Sequence, residues 1–127
     1  MRLPKHNRKI QERENFDMRI WDISPDLLCR NHLLGEHREL HAMWMIITHK
    51  KKGYSMHPET LRWKGKLKAM YLRHEELVNE MISRGYSHKS PLDKRRATGK
   101  SVQDFFINTP IEQIKILKNK NCDCELE

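Results

Sequence analysis

Six side chains between residues 63 and 81 constrain the fold more than any other feature of this chain. Trp63, Leu67, Met70, His74, Leu77 and Met81 follow one another at spacings of 4, 3, 4, 3 and 4. That rhythm puts all six on one face of an α-helix, whereas a strand would need a period of two. The flanks agree with the period. Pro58 in "HPET" suits a first helical position, and Gly85 in "SRGY" suits the residue just past a helix end. A long helix is therefore expected to begin near "HPET" and end at "SRGY".

Two further helix signals bracket it. In "SPDLLCRNHLLGEHRELHAMWMIITHK", Ser24 is an N-cap residue type, Pro25 fits the first turn and Asp26 complements the helix dipole. This helix is expected from about residue 25 to 48, with Leu33, Leu40, Trp44 and Ile47 on its apolar stripe and Gly53 as the breaker beyond it. In "TPIEQIKILKNK", Thr109 and Glu112 make a capping box around Pro110. Between the second and third helices runs "SHKSPLDKRRATGKS", a basic stretch with no apolar period. No alternating run argues for a sheet. The expected fold is all-α, one small domain of three main helices with long basic loops. Residues 1–17 have one proline and few large apolar side chains, so they read as a flexible basic extension ahead of a domain spanning 18–127.

Charge narrows the partners. Lys and Arg total 25 in 127 residues and the formal net charge is +8, which favours nucleic acid or another anionic surface over a neutral metabolite. The runs Lys50, Lys51, Lys52 and Lys94, Arg95, Arg96 read equally as solvated loop charge and as phosphate contacts. No membrane association is expected, because the longest apolar run, "AMWMII", is far short of the roughly 20 residues of a span. No secretory signal is visible, and three cysteines do not make an even disulfide framework. The chain reads as a reduced, cytoplasmic, nucleoid-associated monomer. Trp44 and Trp63 fall on helical stripes and read as core, while the role of Trp21 stays open.

Chemistry concentrates in "HLLGEHREL", residues 32–40, with two histidines, two glutamates and an arginine in nine positions. On a helix His32, Gly35, Glu39 and Ala42 share a stripe with Glu36 beside it, so Glu39 sits between two small residues where a ligand can come close. Arg19 and Arg38 are within reach. Metal is the competing reading. The frame at 32–37 is H-x-x-x-E-H, which matches neither H-E-x-x-H nor H-x-x-E-H. Cys122 and Cys124 form C-x-C, an unusual structural-zinc spacing, so these and Cys29 read as ordinary buried or tail cysteines. No metal and no cofactor are expected.

The stretch "MRIWDISPDLLCRNHLLGEHREL" resembles the opening of the pyrimidine-dimer DNA glycosylases, the phage endonuclease V family. The shared pattern is an Arg directly after the N-terminal residue, then H-x-x-x-E-x-R-E-L, here His32, Glu36, Arg38, Glu39 and Leu40. "KGKLKAMYLRHEELVNEMISRGY" resembles the family's long helix with its R-G-aromatic ending, so the likeness covers roughly residues 18–86. One arginine of the phage pattern, three after the glutamate, falls on Ala42.

The resemblance implies an all-α, metal-independent enzyme acting on double-stranded DNA that carries UV lesions. It implies a DNA glycosylase with AP-lyase activity, whose nucleophile is the α-amine of its own N-terminus. Carried over, the catalytic residues are Met18 and Glu39, and the DNA-binding residues are Arg19, His32 and Arg38. Met18 has an amine only if the chain starts there, so translation is expected to begin at Met18. With residues 1–17 attached, the alternative is a non-catalytic basic DNA-binding protein on the same fold. A metal-dependent nuclease is the third reading.

Overall fold

The stripe read between residues 63 and 81 faces the interior: Trp63, Met70, His74, Leu77 and Met81 are buried and Leu67 is partly so. The structure, a computed structural model, describes residues 19–53, 55–88, 90–120 and 122–126. The extension 1–17 and Met18 lie outside the described residues. Among the described residues the chain forms α1 (Arg30–Thr48), α2 (Pro58–Trp63), α3 (Leu67–Ser83) and α4 (Pro110–Lys118). Short 3₁₀ turns lie at Pro25–Leu27 and Lys94–Arg96. The fold is all-α. Two expectations within it need correction.

The first helix starts later than Pro25. Pro25–Leu27 makes one 3₁₀ turn, Leu28 is extended at ψ 138°, and α1 begins after Cys29, whose side chain gives no cap. Ser24 spends its hydroxyl on the Asp26 carboxylate instead. The reason lies at the residue that caps the end of α3. Arg84 Nη2 donates to the carbonyls of Pro25 and Leu28 at 3.2 and 2.7 Å, carbonyls that a continuous helix would have used internally. Buried Ile23 and Leu28 fix the turn against the core.

The expected second helix is two helices. Lys64 is extended and Gly65 takes φ +77°, which breaks the helical hydrogen bonds between α2 and α3. The basic loop fills the break. Lys100 N donates to Gly65 O at 2.9 Å, while Lys68 N and Ala69 N donate to Thr98 O and Lys100 O at 2.7 and 3.0 Å. These loop carbonyls satisfy first-turn amides that α3 leaves without helical partners. At the other end Gly85 N and Tyr86 N return to the carbonyls of Ile82 and Met81, the expected glycine-terminated ending. The Thr109–Glu112 capping box forms as read.

The core lies where α1 crosses α3, with Leu33, Leu40, Met43 and Trp44 facing Met70, Leu77 and Met81. A buried ion pair ties the same two helices, Arg73 donating to Glu36 at 2.7 and 3.0 Å. Burial opposes the Arg73 charge, yet the facing carboxylate holds the guanidinium above its ordinary value. A second network anchors residues 20–22. Glu59 accepts from Ile20 N at 2.8 Å, and Arg62 reaches Glu59, Asp22 and Ile20 O at 2.7, 2.8 and 3.0 Å. Gln113 of α4 closes it by accepting from Asp22 N at 2.7 Å and donating back to the Asp22 carboxylate at 2.9 Å. Buried Arg62 thus fixes the extended segment that follows Arg19.

Candidate active site

Helix α1 carries the residues of "HLLGEHREL" along a face that borders a cleft of about 470 Å³. Arg19, His32, Arg38 and Glu39, all named from the sequence, line this cleft together. Met18 lies outside the described residues. Glu39 is half-buried and Arg38 exposed. Gly35 lines the cleft as expected, and a methyl added there would meet only Arg38 Nη2, at 3.9 Å. Ala42 departs from expectation: it is exposed and is not part of the cleft lining. The space beside Glu39 therefore comes from Gly35.

Around these residues stand Trp21, whose role the sequence left open, and others that it did not point to. Trp21 packs edge-on to the His32 ring at 5.8 Å between centroids, and the Arg19 guanidinium lies 5.0 Å over the Trp21 ring. Arg19 Nη1 also donates to Asn108 Oδ1 at 3.4 Å. Arg30 contributes from the start of α1, and Ile116 and Lys120 contribute from α4 and the turn after it. Trp21 was detectable in sequence as a tryptophan outside any helical stripe. Lys120 was not, because nothing local relates it to residues 30–39. Glu36, the remaining acid of the motif, turns its carboxylate into the pair with Arg73 and is not free to act on a ligand. Glu39 is the other carboxylate on the cleft lining, which also carries the cations Arg19, Arg30, Arg38 and Lys120. Such a group of cations suits the phosphates of a nucleic-acid backbone.

Burial, helped by the charge of Lys120, lowers the pKa of His32, which favours a neutral ring at pH 7. Its Nδ1 lies 3.1 Å from Cys29 Sγ and 3.3 Å from Cys124 Sγ. Those two thiols, Cys122 and His32 bring their ligand atoms within 4.8 Å of one another. Burial pushes the Cys124 thiol up to about 12, opposed by the hydrogen bond it accepts from Cys29 N. A second gathering holds His37 and His41 of α1, His74 of α3 and His88 beyond it, again with ligand atoms within 4.8 Å. His37 pairs with His88 and His41 with His74, each at 3.0 Å between Nε2 atoms. Burial and the neighbouring imidazoles push His37 and His74 down to about 4. Either group has the donor types a transition metal takes. Spacing in the sequence sets aside a zinc site of His32, His37 and His41 with Cys122 and Cys124; the two groups that form join members from separate elements and divide those histidines between them.

A family model described as pyrimidine dimer DNA glycosylase matches residues 18–94. No curated protein and no solved structure gives a significant match to the chain.

Proposed function

The chain belongs to the pyrimidine dimer DNA glycosylase family, and we propose that it excises cyclobutane pyrimidine dimers from duplex DNA and nicks the strand as an AP lyase. It acts as a monomer, with the Met18 α-amine as nucleophile and Glu39 as the acid–base group. The observation that carries this reading is that Arg19, next in the chain to Met18, and Glu39 line the same cleft. The Arg62 network fixes Ile20 and Asp22, residues that follow Arg19 in the chain.

The chemistry uses these groups in order. An α-amine has a pKa of about 7.7 to 8.0 against about 10.4 for lysine, so far more of it is neutral and nucleophilic at pH 7. The amine attacks C1′, the glycosidic bond breaks and its electron pair leaves with the base. The C1′–O4′ bond then opens as an amine proton passes to O4′, which leaves a protonated imine on the opened sugar. The Glu39 carboxylate then takes a proton from C2′, a C2′–C3′ double bond forms, and the 3′ phosphate departs. Water hydrolyses the imine and frees the amine. Arg19 and Arg38 hold phosphates, and His32 supports the site. A dimer that already distorts the duplex lowers the cost of opening the stack. The reaction so written has no step at a metal.

Glu39→Gln in a chain beginning at Met18 tests it. Binding to dimer-containing duplex should stay nearly intact while nicking falls by roughly two to four orders of magnitude, the range of a lost general base. Wild-type nicking by this variant would overturn the assignment. Borohydride, which reduces an imine to a stable amine, should trap the Met18-initiated chain on the DNA. A chain beginning at Met1 should bind without trapping, since an amide nitrogen forms no imine. Equal trapping with Met1 intact would move the nucleophile from Met18 to the Met1 α-amine or a lysine, and Lys120, which lines the cleft, would be the first lysine to replace.

A further inference from the structure

We propose that Cys29, His32, Cys122 and Cys124 bind one structural zinc ion, which staples the C-terminal tail to the start of α1. Neither half of this set looks like a metal motif alone. Cys29 and His32 lie three apart across the first turn of α1, whereas Cys124 stands 92 and 95 positions from them. The fold supplies the convergence, bringing one nitrogen and three sulfurs within 4.8 Å of one another.

The dimensions fit. Tetrahedral zinc with sulfur at about 2.3 Å and nitrogen at about 2.0–2.1 Å sets neighbouring ligand atoms about 3.6–3.8 Å apart. The two sulfur–nitrogen contacts, 3.1 and 3.3 Å, need to open by only a few tenths of an ångström to admit the ion. Three thiolates and one imidazole complete a four-coordinate shell with no open position, the arrangement of a structural rather than a catalytic site. Soft thiolates with an imidazole select zinc over magnesium, calcium or manganese.

The staple also has something to hold. Cys29 N donates to Cys124 Sγ at 3.0 Å, and Glu125 N donates to Leu27 O at 2.8 Å, so the tail already lies along the approach to α1. Ile116 and Lys120, which precede the tail, form one wall of the cleft, and His32 belongs to both shell and cleft. A metal on Nδ1 fixes the His32 ring and its tautomer. The site is independent of the glycosylase reading, and the proposal stands or falls without DNA.

The full chain, purified without chelator, should contain one zinc per molecule by inductively coupled plasma mass spectrometry. Cobalt exchange should add tetrahedral d–d bands and an intense near-ultraviolet thiolate-to-cobalt transition. Cys122→Ser combined with Cys124→Ser should lose both signals, with circular dichroism reporting whether helicity survives. If that variant fails to fold, the wild-type cobalt spectrum decides alone. Three results would overturn the proposal. One is a wild-type chain with no zinc and no thiolate-to-cobalt transition. Another is metal retained by the double variant, which would locate it elsewhere, as at the four histidines. The third is a disulfide within the cysteine set in the freshly purified chain.

Discussion

A Gly99→Ala substitution puts a methyl where the backbone of Gly65 already lies. The added Cβ would stand 2.1 Å from Gly65 O and 2.7 Å from Gly65 C, and neither atom can swing away as a side-chain end can. Gly99 also has φ +82°, a left-handed conformation that costs an ordinary residue about 1–2 kcal/mol. Relief requires the basic loop to leave α3. That movement breaks the hydrogen bonds from Lys100 N, Lys68 N and Ala69 N described above, each contributing about 0.5–1.5 kcal/mol. The expected destabilisation is about 3–5 kcal/mol, a large part of the 5–15 kcal/mol that holds a domain together. Urea denaturation followed by circular dichroism measures it, and two glycines serve as controls. Gly65 has φ +77° but nothing within 4 Å of an added Cβ, so its alanine variant should lose only about 1–2 kcal/mol. Gly53 has neither a positive φ nor a neighbour within 4 Å, so its variant should fall within about 0.5 kcal/mol of wild type or gain slightly. A Gly99→Ala loss no larger than that of Gly65→Ala would refute the close approach of loop and helix.

Two further outcomes are expected. Arg19→Ala and Arg38→Ala should each weaken DNA binding and lower the slope of log affinity against log salt by about one, if each neutralises a phosphate; an unchanged slope would return both residues to structural roles. His37 and His74 make stability depend on acid. His37 and His74 are held down to about 4 within a group completed by His41, His88 and the Glu75 carboxylate, 3.2 Å from His74 Nδ1. Above the ordinary histidine value near 6.5, both folded and unfolded chains keep these rings neutral and stability is flat. Between about 6.5 and 4 the unfolded chain takes up protons that the fold refuses, so stability falls as pH falls. Buried His74 contributes up to about 1.4 kcal/mol per pH unit, and half-exposed His37 less. Urea midpoints that hold constant across this window would contradict the neutral His37 and His74 rings.

What the sequence determined by itself is local. The stripe from Leu67 to Met81, the Thr109–Glu112 box and the Gly85 ending all rest on contacts three to five residues apart, and the chain forms each of them. The H-x-x-x-E-x-R-E-L pattern was legible for the same reason, since one helix carries it past one cleft. Tertiary structure decided the rest. Arg84 takes the carbonyls that would have continued α1 backwards through Leu28, and the loop at Gly99 docks where α2 and α3 part. Trp21 and Lys120 join the cleft only because α4 returns beside the segment that Arg62 and Gln113 anchor. The spacing of Cys122 and Cys124 matched no usual zinc frame because their partners, Cys29 and His32, lie at the far end of the chain. Spacing along a sequence reports only neighbours on one element. Which elements meet is set by the burial of apolar faces across long loops, and two helices with identical caps and stripes can meet in many ways.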